Sequence, residues 1–171
     1  PNLYSKEVPR AVSAAPIRTF TNDPLQARSL DKTDIRDLRR WFINAAKRSK
    51  EAGFDLICLY GAHGFGIFQH FLSRATNHRT DEYGGSLENR ARFVNEVISD
   101  MKDAVGDKMG ITLRVSLDET IGELGFSNSE VRDFIEMNRN LPDLWDLAQG
   151  TWEDCSGPSR FKEEGAQEQL V

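Results

Sequence analysis

The chain has 171 residues, of which 29% are charged and 39% hydrophobic, as is typical of a soluble globular protein. Its net charge is −5 without a long like-charged block, which argues against a nucleic-acid-binding surface. No apolar run approaches the roughly 20 residues that span a bilayer, and no signal peptide is visible, so we expect no membrane partner. The two cysteines, Cys58 and Cys155, form neither a disulfide framework nor a metal-binding spacing, and they predict a reducing cytoplasm.

The first half of the chain predicts an irregular segment, a helix and a strand. Residues 1–32 are punctuated by four prolines and have no hydrophobic period, which predicts irregular structure. A helix is predicted to begin at Thr33 as its N-cap and to end at Gly53. The apolar run at residues 55–60 is typical of a strand covered on both faces, in which Cys58 would be a small buried side chain.

The second half repeats the alternation of helix and strand. A Gly-rich turn at residues 61–66 and a long polar loop lead to Ser86, the predicted N-cap of a helix that ends at Gly106. Residues 111–115 form the second predicted strand. Ser127-x-x-Glu130 predicts a capping box for a shorter helix, and residues 144–148 form the third predicted strand.

This order predicts an α/β fold with parallel strands and right-handed crossovers. The chain would be one partial domain over residues 1–171, with three α–β units in residues 33–160 and a polar tail in residues 161–171. Three parallel strands leave two unpaired edges, which stable proteins normally cover. The pattern therefore indicates part of an α/β sheet or barrel.

Candidate functional residues follow the strands, since ligands in such folds bind beyond the carboxyl ends of the strands. Tyr60 and His63 end the first strand, Arg114 lies near the end of the second, and Trp152 and Asp154 follow the third. Tyr and His can exchange protons with a substrate, Arg can stabilise an anion, and a Trp face can hold a methylated ammonium group. Simple packing is the alternative for Tyr60 and Trp152, and a purely structural role is the alternative for His63. For Arg114 the alternative is an ion pair with Asp118 or Glu119.

Three motifs resemble the Old Yellow Enzyme (NADH:flavin oxidoreductase) family. They are AGFD at residues 52–55, GAHG at residues 61–64 and RTDEYGGSLENR at residues 79–90. The third motif is long and specific, and the resemblance runs from about residue 1 to residue 161. LYGAHGFG at residues 59–66 and GPSRF at residues 157–161 are most similar to the trimethylamine dehydrogenase-like branch of the family, and to proteins of dimethylglycine demethylation in particular.

The resemblance implies a partial TIM (β/α)₈ barrel that binds FMN, in which the three strands are barrel strands four to six. Arg114 and His63 would contact the cofactor, Tyr60 and Trp152 would bind the substrate, and Tyr60, His63 and Asp154 would be catalytic. Counting back from the GPSRF motif places Cys155 at the family's Asp position and Asp154 one residue earlier, so both stay candidates. The FMN phosphate site and any 4Fe-4S ligands would lie outside this chain, and no metal ligand is expected within it.

The activity implied is oxidative N-demethylation of a small methylated amine, of the trimethylamine or dimethylglycine type. Family enoate reductases usually carry His where Tyr60 stands, so Tyr60 favours amine oxidation. An NAD(P)H-dependent enoate reductase and an inactive fragment of such an enzyme remain the alternatives. The electron acceptor is left open, and the resemblance allows a homo-oligomer.

Overall fold

The computed structural model describes residues 7–17, 25–119 and 121–148. Its strands and helices follow each other in the order β1 (Arg10–Ala11), β2 (Ala15–Ile17), β3 (Leu25–Ser29), α1 (Lys32–Glu51), β4 (Leu56–Gly61), α2 (Gly66–Leu72), α3 (Leu87–Val105), β5 (Gly110–Ser116), α4 (Asn128–Asn138) and β6 (Leu144–Ala148). Short 3₁₀ turns follow α3 and precede α4.

The strands form two sheets. The larger sheet has the order β4-β5-β6 and is parallel throughout, as the alternating pattern predicts. The smaller sheet has the order β1-β3-β2, with β1 parallel and β2 antiparallel to β3. All three of its strands lie in the segment that the prolines predicted to be irregular, so that prediction is wrong for the described part of residues 1–32.

The helices cover one face of the large sheet and leave the other face open. Leu59 of β4 and Ile111, Leu113 and Val115 of β5 are buried in the core with the apolar faces of the helices. On the opposite face of β4, Leu56 is 47% and Tyr60 39% exposed. Cys58 is also exposed on that face. The predictions of a β4 strand covered on both faces and of a buried Cys58 are therefore wrong for this chain.

Helix α1 begins at a different residue from the one the sequence predicted. Its N-cap is Asp31 rather than Thr33, because the Asp31 carboxylate accepts bonds from the backbone N–H groups of Thr33 and Asp34. The Asp34 carboxylate bonds back to the Asp31 N–H, which completes a capping box. Arg28 donates two hydrogen bonds to the Asp34 carboxylate, and they lower the pKa of that group to about 2.

The later helix boundaries agree more closely with the pattern. Ser86 caps α3 and Gly106 ends it, as predicted. Ser127 caps α4 as predicted. The predicted capping box is not completed, because the Glu130 carboxylate binds Arg74 and Arg90 instead. Helix α2 lies where the sequence predicted only a loop. Among the described helices, none is long and apolar enough to cross a membrane.

Candidate functional site

A row of polar side chains crosses the open face of the large sheet near the carboxyl ends of its strands. Tyr60 of β4 pairs in register with Arg114 of β5, which pairs with Asp146 of β6. Residues in register on parallel strands project from the same face, so the three side chains are neighbours. The Arg114 guanidinium carbon lies 5.8 Å from the centroid of the Tyr60 ring, within range of a cation–π contact.

Tyr60 and His63 form a hydrogen-bonded pair. The Tyr60 hydroxyl lies 2.6 Å from Nδ1 of His63, and the tautomer of the imidazole decides which atom donates. The backbone of His63 has a φ of +59°, which is unusual for a residue other than glycine. Ser116, at the end of β5, accepts a 2.8 Å hydrogen bond from the His63 backbone N–H. The loop after β4 is thus fixed to β5 in a conformation that turns the imidazole toward Tyr60.

The surroundings of His63 favour its neutral form. Burial lowers the pKa of His63 below its usual 6.5, and the Arg114 charge lowers it further, while Asp146 opposes the effect. A neutral imidazole with its proton on Nε2 accepts the Tyr60 hydroxyl proton at Nδ1. The neutral imidazole can therefore act as the proton acceptor for the Tyr60 hydroxyl.

Arg114 carries the fixed positive charge of this row. Its Nε lies 3.0 Å from Oδ2 of Asp146, but the N–H is not aimed at that oxygen. Within the described residues, the buried Nε has no hydrogen-bond acceptor. The pair is therefore a charge contact that leaves a donor for another acceptor. The sequence alternatives for Arg114 were Asp118 and Glu119. Among the described residues, Arg114 instead forms an ion pair with Asp146, and Glu119 bonds to other groups.

The structure brings together three of the residues named from the sequence, Tyr60, His63 and Arg114. Trp152, Asp154 and Cys155 lie outside the described residues. Asp146 was missed as a contributor, and no role was predicted for Ser116. A charged residue inside the apolar run of β6 was a signal that could have identified Asp146. No three His, Cys, Asp or Glu side chains of the described residues are grouped to hold a metal ion.

The chain is similar to one family of known proteins. The model of the NADH:flavin oxidoreductase / NADH oxidase family matches residues 3–170. A dimethylamine dehydrogenase of Hyphomicrobium sp. (strain x) is 36% identical over 94% of this chain. An NADPH dehydrogenase of Clostridium acetobutylicum is 39% identical over 77% of the chain. The structure of histamine dehydrogenase from Rhizobium sp. 4-9 matches all of the chain with a TM-score of 0.92 and 83% identity.

The chain corresponds to a minor part of each of these proteins. It spans 21% of the dimethylamine dehydrogenase, 38% of the NADPH dehydrogenase and 25% of the histamine dehydrogenase chain. The structural neighbours are (β/α)₈-barrel enzymes, and the parallel strands β4 to β6 match part of such a barrel. The predicted partial barrel and the resemblance to this flavin-dependent family are confirmed.

Proposed function

Because the chain belongs to the NADH:flavin oxidoreductase / NADH oxidase family, we propose that it is a segment of an FMN-dependent amine dehydrogenase. The parent protein is this longer enzyme. The observation that carries the proposal is the Tyr60–His63 pair, 2.6 Å apart beside Arg114. The similarity to dimethylamine dehydrogenase and histamine dehydrogenase supports amine oxidation as the activity.

The residues of the open face fit the isoalloxazine edge of FMN, the cofactor of this family. Arg114 supplies a fixed charge, and its buried Nε has no acceptor among the described residues. When bound beside these residues, FMN would supply the two-electron oxidation of the carbon next to the amine nitrogen. Arg114 would hold the pyrimidine edge of the flavin through its guanidinium donors and stabilise negative charge there.

Tyr60 and His63 would handle the substrate proton. An amine is mostly protonated near neutral pH, and its nitrogen lone pair must be free before the adjacent carbon can be oxidised. With His63 neutral, the amine proton passes to the Tyr60 oxygen while the Tyr60 proton moves to Nδ1 of His63. Trp152 and either Asp154 or Cys155 stay proposed as further substrate-side residues.

A histamine-type primary amine is the substrate class best supported, because the histamine dehydrogenase is 83% identical to this chain. Oxidation of such an amine gives an iminium that water converts to an aldehyde and ammonium. A methylated amine is the second candidate, supported by the dimethylamine dehydrogenase at 36% identity. Its oxidation would release formaldehyde and the demethylated amine.

Product analysis of the parent protein separates these substrates. The enzyme is incubated with histamine, dimethylamine or dimethylglycine and an artificial electron acceptor, and ammonium and formaldehyde are measured. We expect ammonium from histamine at the highest kcat/KM. Formaldehyde from the methylated amines at higher kcat/KM would assign the parent protein to N-demethylation instead.

An NAD(P)H-dependent enoate reductase is the alternative within the family, supported by the NADPH dehydrogenase at 39% identity. NADPH would then reduce the flavin, and an α,β-unsaturated ketone would be reduced to its saturated product. The parent protein incubated with NADPH and cyclohexenone should yield little saturated ketone if amine oxidation is its function. Efficient formation of that ketone, with no product from any amine, would refute the proposal.

A further inference from the structure

A buried carboxylate links the two loops at the carboxyl ends of β4 and β5. Glu119 is 6% exposed and lies just after β5. Its Oε1 accepts a 2.8 Å hydrogen bond from the side-chain amide of Gln69. Its Oε2 accepts bonds from the Ser73 hydroxyl and the Phe126 backbone N–H, each at 2.5 Å. The carboxylate thus joins α2 to both ends of the loop that precedes α4.

One branch of this network leads to His63. Gln69, which is 1% exposed, uses its amide oxygen to accept a 2.8 Å hydrogen bond from the Gly64 N–H. Since Glu119 accepts from the Gln69 nitrogen, it fixes the orientation of that amide and presents the oxygen to Gly64. Gly64 directly follows His63, whose own N–H is held by Ser116. Two successive peptide groups are therefore anchored, one by Ser116 and one by Glu119 through Gln69.

The surroundings of Glu119 are closely fitted to it. A Cβ atom at Gly125 would lie 2.6 Å from Oε2 of Glu119, so only glycine allows this approach without a shift. The His63 backbone also benefits from external support, since a φ of +59° costs free energy at a residue other than glycine. The network supplies rigid support where the backbone conformation requires it.

We propose that Glu119 is a positioning residue, which acts through Gln69 and the Gly64 peptide to hold His63 against Tyr60 for amine oxidation. Its kinetic test rests on the proposed function. The role is confined to one branch: the Ser73 hydroxyl bonds to the same carboxylate but does not lead to His63. Loss of the Ser73 bond therefore tests general stabilisation of the fold, whereas loss of the Gln69 bond tests the positioning of His63.

The Glu119→Gln variant of the parent protein breaks the Gly64 link in a defined way. The new amide accepts from Ser73 and Phe126 only with its oxygen, which turns its NH₂ group toward Gln69. Gln69 must then rotate its oxygen toward that NH₂ group, so its own NH₂ faces the Gly64 N–H. The double variant Glu119→Gln/Gln69→Glu restores the link, because a carboxylate at position 69 accepts from both groups.

The measurement is the limiting rate of flavin reduction at saturating amine, followed anaerobically from pH 5 to 9. The groups facing His63 are Tyr60, Arg114 and Asp146 on the strands, and His70 on α2, whose ring contacts the Gly64 carbonyl. Glu119→Gln should lower the limiting rate by about tenfold or more, equivalent to about 1.4 kcal/mol. The acid limb of the profile should move up toward 6.5 as His63 leaves its buried position. The double variant should regain both the rate and the wild-type acid limb.

The control variant is Ser73→Ala, which should lower the melting temperature and leave the acid limb unchanged. If Glu119→Gln gives no folded enzyme, Gln69→Met cuts the same link and should shift the limb likewise. An unshifted limb in both variants, or an equal shift in Ser73→Ala, would overturn the proposal. Titration of labelled His63 by NMR, assigned with a His63→Gln variant, checks the same shift without substrate. A parent protein that no amine reduces would therefore refute only the proposed function.

Discussion

His63 concentrates the unusual features of the site in one residue. It has the positive backbone φ, the contact with the Tyr60 hydroxyl, and a pKa lowered first by burial and then by the Arg114 charge. Unfavourable backbone conformations persist where surrounding structure holds them, and they are common at functional sites. Transfer of a proton to His63 requires a neutral imidazole. Both the burial of His63 and the nearby Arg114 charge favour that neutral form.

The pH dependence of flavin reduction follows from this pKa. Below the lowered pKa, His63 is protonated in the folded protein and no longer accepts the Tyr60 proton. The limiting rate of reduction by amine should therefore be full above pH 6.5 and should fall with an apparent pKa below 6.5. A His63→Gln variant should lose this limb, whereas His78→Gln, at an exposed histidine, should keep it. A limb that persists in His63→Gln would assign the titration to another group.

Arg114 permits a second test at this scale. Its replacement by Ala removes the positive charge next to Tyr60, and we expect flavin reduction by amine to slow about a hundredfold, as when a single charge-stabilising donor is lost. The rate is measured in single turnovers on protein with a determined FMN content. Arg132→Ala, at an exposed Arg of α4, is the matched control. An unchanged rate in Arg114→Ala would remove Arg114 from the site.

At the scale of the elements, Arg90 of α3 connects three parts of the fold. The side chain is 1% exposed, and it donates to the backbone carbonyls of Leu72 and Gly85 and to the Glu130 carboxylate. These bonds join the end of α2, the loop before α3 and the first turn of α4. They hold α2, which carries Gln69, in place relative to α4, which follows the loop that carries Glu119.

Replacement of Arg90 by Met should destabilise the parent protein by about 3 kcal/mol, because it removes the donor to the Leu72 and Gly85 carbonyls and the buried one of the two arginines that pair with Glu130. The change in free energy of unfolding is measured by urea denaturation. Arg132→Met serves as the control, and it should change stability by less than about 0.5 kcal/mol, as surface substitutions usually do. Equal stability of the two variants would show that the Arg90 bonds contribute little.

The sequence predicted elements better than it predicted contacts. The three strands of the large sheet were located within about a residue, since short, largely apolar runs are distinctive. Helix α2 was missed because its 7 residues are too few to establish a hydrophobic period. The N-cap was misplaced because Asp31 and Thr33 are both favourable capping residues. The role of Glu119 could not be predicted, because its partner Gln69 is 50 positions away and only the fold brings them together.

At the scale of the whole molecule, the open face of the large sheet is the main feature. Leu56, Cys58 and Tyr60 project from β4 without cover from the helices. In a (β/α)₈ barrel the corresponding face is the packed interior, closed by strands on both sides. The chain spans 25% of the histamine dehydrogenase chain, so the rest of the barrel would supply this cover in the parent protein.

The reactivity of Cys58 tests this expectation. In the native parent protein we expect little modification of Cys58 by a thiol reagent, because barrel closure excludes the reagent. In the 171-residue chain carrying Cys155→Ser, modification should be fast, since Cys58 is exposed there. Peptide mapping by mass spectrometry measures both, with the denatured parent protein as the fully reactive control. Equally fast modification of the native parent protein would contradict closure over β4.

The central claim is that the parent protein takes electrons from an amine at the Tyr60–His63 pair, and one measurement tests it most directly. The oxidised parent protein is mixed anaerobically with histamine, with dimethylamine or with NADPH, and flavin absorbance near 450 nm is followed. We predict rapid bleaching by an amine, fastest with histamine, and slow or no bleaching by NADPH. Rapid bleaching by NADPH with no response to either amine would contradict the claim and indicate an enoate reductase.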